Sequence, residues 1–149
     1  MTLTVLRLLT VLFTAVAMAA GFAHLLELPN KMRLSRDDYL VVQQIYRGWA
    51  LLGVVVVGAL VTTLLVTFRL RARPPEFYLS LTAAVCIALT LVVFFLFTYP
   101  ANRQTRNWTM LPENWETLRR QWEYSHAVGA GLYFVALSAH TLSLLVARR

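Results

Sequence analysis

Four apolar blocks, each long enough to cross a bilayer, govern what this chain can fold into. They lie at about Leu3 to Leu28, within Arg36 to Arg69, at Phe77 to Tyr99 and within Pro112 to Val146. A hydrocarbon core about 30 Å thick is crossed by about 20 residues of helix. Lipid offers no partner to backbone polar groups, so each span must close its hydrogen bonds internally. The expected fold is all-α: one integral membrane four-helix bundle, a single domain over residues 1–149.

Composition agrees. The chain is 58% hydrophobic and only 14% charged, whereas soluble domains carry about a quarter charged residues. The net charge of +7 is not read as a nucleic-acid footprint. All but one of the 14 basic residues are Arg, mostly flanking the apolar blocks, which is a membrane topology signal. No nucleic-acid motif accompanies them. Arg7 before an apolar run reaching Ala19 and Ala20 imitates a secretory leader, but the run continues to Leu28. That exceeds a leader's apolar core of about 7–15 residues, so a span is expected. The single thiol, Cys86, excludes an internal disulfide and a CxxC pair, and reads as a small packing residue.

Local signals set the boundaries. Pro29 and Asn30 should end the first helix. Ser35 and Asp38 form a capping box for a second helix expected to run unbroken from Arg36 to Arg69, about 50 Å long. Arg69, Arg71 and Arg73 with Pro74-Pro75 make a short turn, and Glu76 suits the positive start of the third helix. Pro100 should stop that helix, and Pro112 should open the fourth. Trp115, Leu118 and Trp122 make a stripe, and Glu116/Arg120 and Arg119/Glu123 are i,i+4 charge pairs. Helices two and four should therefore overshoot the bilayer on one side. The Arg69–Arg73 cluster and Arg148-Arg149 favour cytoplasmic termini in a bacterial inner membrane.

Chemistry-bearing residues gather at the overshooting end. His24-x-x-Glu27 closes the first helix, and Glu123-x-x-His126 lies where the fourth meets the membrane. Residues three apart share a helix face, and facing helices with such pairs build metal sites. His24, Glu27, Glu123 and His126 are candidate ligands for one divalent Zn, Fe or Cu ion. The plainer reading is solvation or pairing with nearby Arg. Arg47, beside Gly48-Trp49, reads either as a snorkelling interfacial residue or as a partner for Glu27 or an anionic substrate. Trp108, Trp115, Trp122, Tyr99 and Tyr124 read as an interfacial belt, with a substrate wall as the alternative. His140 reads as an interhelical hydrogen bonder. The Asn107-Trp108-Thr109 sequon bears only on a eukaryotic secretory setting.

The stretches Gly21–Lys31 and Val42–Trp49, the segment Tyr99-Pro100-Ala101-Asn102, and Trp115–His126 resemble the anthrone-oxygenase-like family of small four-helix membrane proteins. The resemblance implies a four-helix bundle and, for some members, oxidation of anthrones without a conventional cofactor. Members often carry Asn and then Arg three residues later at the start of helix four; this chain has His126 and Gly129 there. The substitution favours altered, metal-assisted chemistry.

Three functional readings follow. The first is a membrane oxidoreductase or oxygenase for a lipophilic small molecule, with His24 or His126 as general base and Arg47 stabilising the anion. The second is a metal-binding membrane protein. The third is an accessory subunit of a membrane complex. Membrane lipid is the expected surround, and a homo-oligomer is compatible with each reading. A glutathione-dependent four-helix enzyme fits less well, because Ala50 to Leu65 lacks polar residues apart from Thr62 and Thr63.

Overall fold

The computed structural model describes residues 1–147. It is an all-α bundle without strands among the described residues. The helices are α1 (Leu3–Lys31), α2 (Arg36–Gln43), α3 (Leu52–Arg69), α4 (Pro74–Val93), α5 (Tyr99–Gln104) and α6 (Trp115–Val146). Four stretches are long and apolar enough to cross a membrane: Leu3–Lys31, Trp49–Arg69, Pro74–Gln104 and Trp115–Val146. The chain is an integral membrane protein. Neighbours α1·α3, α3·α4, α4·α6 and α6·α1 pack in a closed up-down-up-down ring.

The packing is that of a protein dissolved in lipid. Ala17, Ala59, Ala83, Ala136 and Ala139 occupy the core beside Ile87, Cys86 and Tyr133. Leu8, Leu12, Val54, Val57, Leu64 and Phe68 point outward. Lipid tails are as apolar as Leu, so apolar bulk brings helices together poorly, while small side chains let backbones approach. A Cβ added at Gly21 would lie 3.2 Å from Ala130 Cα, which marks the tightest glycine-to-backbone approach between helices. Hydroxyl pairs bridge other helices, including Thr67–Ser80 at 2.7 Å and Thr98–Ser125 at 2.7 Å. His140 Nε2 lies 3.2 Å from Thr63 Oγ1, an interhelical hydrogen bond of the expected kind. At the end holding the Arg69–Arg73 turn, Arg7 on α1 pairs with Glu76 on α4. Arg148 and Arg149 lie outside the described residues.

Four boundary expectations need correction. Pro29 does not end α1, which continues to Lys31. Near a C-terminus the proline removes one bond, while Met32 N–H still bonds Leu28 O. The second helix is not continuous. It breaks after Tyr46, where Arg47 is extended (ψ 125°) and Gly48 adopts φ 90°, a conformation glycine takes without Cβ strain. The overshoot of helix two is therefore a separate short helix, α2. Pro100 does not stop the third helix either. A wide π-type turn at Phe94–Thr98 precedes it, and helix resumes over Tyr99–Gln104. Such a turn relieves the clash between a proline ring and the carbonyl four residues earlier. The last helix begins at Trp115, and Pro112 sits in the preceding turn.

Candidate functional site

The end of α1 carries three polar residues on one face. His24, Glu27 and Lys31 are spaced i, i+3, i+7, and the passage of α1 through Pro29 is what keeps Lys31 in register. Opposite them, α6 presents Trp122, Glu123 and His126. The segment beginning with α2 contributes Tyr39, Gln43 and Tyr46, again one face. The Gly21–Ala130 approach one turn deeper sets the spacing, since α1 and α6 run antiparallel and His24 and His126 both lie on its far side.

Lys31 is the centre of the cluster. Its side chain is 3% exposed and its Nζ lies 2.9 Å from Glu123 Oε2 and 3.4 Å from Glu27 Oε2. It donates to Tyr46 Oη at 3.1 Å and stands 3.3 Å from His24 Nδ1. The Glu123 side chain is fully buried. Its Oε1 accepts from Tyr39 Oη at 3.0 Å, and Gln43 Nε2 donates to Tyr39 Oη at 2.5 Å. Glu123 Oε2 has no hydrogen bond of good angle, so its contact with Lys31 is electrostatic in character. Tyr46 also donates to Glu27.

Both phenols lie outside the spanning segments and titrate above their ordinary range. For Tyr39, burial is the main cause and the Glu123 charge adds to it. For Tyr46, burial again leads, followed by the hydrogen bond to Glu27. Both therefore stay protonated and act as donors.

The two imidazoles are adjacent, with ring centroids 4.2 Å apart. His24 is enclosed by Tyr46 at 4.4 Å, Trp122 at 4.8 Å and Trp49 at 5.5 Å between centroids. His126 Nδ1 lies 2.8 Å from the Trp122 carbonyl. Among the described residues, the sealed side-chain atoms without partners are Arg7 Nε, Gln43 Oε1, Arg119 Nε and Glu123 Oε2. The hydrogen bonds of both rings run through Nδ1, and among the described residues neither Nε2 has a hydrogen-bond partner.

The sequence-predicted residues separate into two groups. His24, Glu27, Glu123 and His126 are brought to one end of the bundle. They do not converge as a metal-ligand set: among the described residues no three His, Cys, Asp or Glu side chains are so arranged. The Lys31 ammonium stands between the two carboxylates, where a cation would otherwise be shared. Arg47 is not brought in. It is exposed and donates to Gln44 Oε1 at 2.9 Å. Arg119 does not pair with Glu123. Its guanidinium donates to Leu34 O at 3.0 Å and lies 4.6 Å from the Trp115 ring.

The belt reading of the tryptophans is also corrected for two of them. Trp108 and Trp122 are buried, and both indole N–H groups donate to Asn102 Oδ1, at 3.1 and 2.8 Å. Sequence reasoning missed Lys31, Tyr39, Gln43 and Asn102. The i, i+3, i+7 spacing of His24, Glu27 and Lys31 was a usable signal, obscured by taking Pro29 as a stop. Tyr39, Gln43 and Tyr46 repeat with the same period. No family model, curated protein or solved structure matches the chain.

Proposed function

We propose that the protein binds a lipophilic small molecule at the His24/His126 end of the bundle and abstracts a proton from it, as the opening step of an oxidoreductase or oxygenase reaction. The observation that supports this is the imidazole pair itself: two rings 4.2 Å apart, one of them against a buried ammonium. A neutral imidazole offers one lone pair that can take a proton and one N–H that can donate a hydrogen bond. Tyr46, Trp49 and Trp122 give the apolar wall that a lipophilic substrate needs. Leu26 and Leu51, both exposed, add apolar surface at the same end. In this reading Arg47 has no part, and the cation beside the imidazoles is Lys31, which contacts His24 Nδ1. The resemblance to anthrone-oxygenase-like proteins points to the same substrate class. The Arg69, Arg71 and Arg73 turn favours a bacterial inner membrane with cytoplasmic termini, so the site faces the periplasm.

The test uses detergent-purified protein in D2O under argon, with anthrone and 2-tetralone as ketones bearing acidic methylenes. Deuterium entry above the uncatalysed rate is expected for the parent protein. His24→Ala and His126→Ala should each lower it by about 100-fold or more. Parental exchange in both variants would discard the reading. Admitting oxygen and following product mass then decides whether oxidation follows. Elemental analysis of tag-free protein runs in parallel, and a stoichiometric transition metal would move the site to metal-centred chemistry.

A further inference from the structure

The directions of two hydrogen bonds in the site are fixed by what their partners can do. An ammonium only donates, and a backbone carbonyl only accepts. His24 Nδ1, 3.3 Å from Lys31 Nζ, must present its lone pair. His126 Nδ1, 2.8 Å from the Trp122 carbonyl, must carry its proton. A neutral imidazole has one N–H and one lone pair. The neutral rings are thus held in opposite tautomers. His24 carries its proton on Nε2, and His126 leaves Nε2 bare.

We propose that this opposition divides the work of the pair: His126 Nε2 is the base, and His24 Nε2–H is the donor that holds the developing oxyanion. The proposal rests on the proton-abstraction reading above and gives it a direction. It also narrows the substrate class to lipophilic carbonyl compounds with an acidic α C–H. That C–H bond breaks, its electron pair passes into the substrate as an enolate, and its proton forms an N–H bond at His126 Nε2. The enolate oxygen accepts a hydrogen bond from His24 Nε2–H. Return of the proton, or of a solvent deuteron, from His126 to the same carbon restores the ketone. Atoms and charge balance without any oxidant, and any oxidation is a later step.

Lys31 is a positioning residue in this scheme. It touches no reacting atom, but it holds His24 in the donor tautomer. Glu27 and Glu123 flank the Lys31 ammonium and offset its buried charge. With Lys31 removed, nothing obliges His24 Nδ1 to stay bare. His126 depends on a backbone carbonyl, so its tautomer should not follow that of His24.

The resting protein gives the first measurement. Histidine-15N NMR in detergent reports which ring nitrogen is protonated, and the three histidines are assigned by single His→Gln variants. The expected spectrum has His24 as the Nε2–H form and His126 as the Nδ1–H form. Lys31→Met should convert His24 to a mixture and leave His126 unchanged. Either imidazole in the opposite tautomer in the parent protein overturns the proposal, even if Lys31→Met does not fold.

The second measurement separates the roles. His126→Gln should lose 2-tetralone deuteration by about 100-fold or more while still binding 2-naphtholate, a stable mimic of the enolate. His24→Gln should weaken 2-naphtholate binding by about 10-fold or more, the loss of one charge-assisted hydrogen bond. Parental exchange in His126→Gln overturns the proposal, as does parental naphtholate binding in His24→Gln. A parent protein that exchanges neither ketone removes the proton-abstraction reading and the roles built on it. The tautomers are still decided by the spectrum, so the two failures are told apart.

Discussion

Lys31 on α1 and Glu123 on α6 meet at 2.9 Å with side chains 3% and 0% exposed. Neither group could be left there alone, because an unpaired charge in a low-dielectric place costs several kcal/mol. The pair fastens the two helices at the level where the imidazoles meet. It also fixes the direction of the His24 hydrogen bond, so one ammonium joins the packing of the bundle to the chemistry of the site.

The first prediction is that Lys31→Met destabilises the protein by about 3–5 kcal/mol, because it strands Glu123. Lys31→Met with Glu123→Leu should recover most of that loss. Glu27→Gln should change stability by no more than about 1 kcal/mol, since the Glu27 side chain is 40% exposed and its pairing is screened. Denaturation of the three variants in one detergent checks the order. A Lys31→Met loss no larger than that of Glu27→Gln would contradict it.

Asn102 carries a second prediction. Its one Oδ1 accepts from both Trp108 and Trp122. Asn102→Leu leaves two buried indole N–H groups without an acceptor, at about 1–3 kcal/mol each. The variant should melt earlier, and its tryptophan emission should shift as the packing under His126 loosens. Unchanged emission and melting would show that the indoles find other acceptors.

Much of the fold was legible because lipid enforces it. Apolar runs of about 20 residues have one solution in a bilayer, so the spans could be read from the chain. The breaks were harder. Pro29, Pro100 and Pro112 carry the same local signal, yet α1 passes through the first, a π-type turn absorbs the second, and the third only precedes a helix. At the second a partner from another helix takes up a backbone carbonyl that the wide turn leaves: Gln121 Nε2 donates to Phe97 O at 2.7 Å. The site was legible as two His/Glu pairs at one end. Lys31 was not, because its place depends on helix continuing past Pro29. Arg47 turned outward for a similar reason: the Gly48 break, invisible to helical periodicity, redirects the chain just there.

Gly21 supports a third prediction. Even an alanine Cβ would press on Ala130 Cα at 3.2 Å, and backbone cannot swing aside as a flexible side chain would. Gly21→Val should push α1 from α6, with a loss of about 1–3 kcal/mol from overpacking. Because His24 and His126 sit just beyond this contact, the variant should also lose deuterium exchange while remaining helical. Circular dichroism with the 2-tetralone assay separates the two effects. Parental exchange would mean that the imidazole spacing is set elsewhere.

The last prediction concerns alkaline stability. Tyr39 and Tyr46 are held protonated in the folded protein above their ordinary pKa of 10.0, while the unfolded chain ionises its phenols near that value. Above about pH 10 the unfolded state therefore binds fewer protons than the native one, and stability falls as pH rises. Below that pH their contribution is complete. It declines progressively as pH climbs from the unfolded value towards the native one. Tyr39→Phe removes one such group, so it should lower stability at pH 8 through the lost bond to Glu123 yet flatten the decline between pH 9 and 11. Tyr46→Phe should flatten it too, through the phenol that donates to Glu27. Denaturant titrations across that range, with phenolate absorbance followed in parallel, measure both slopes. The two phenols should ionise only as the bundle opens, and a slope that both variants leave unchanged would contradict the assignment.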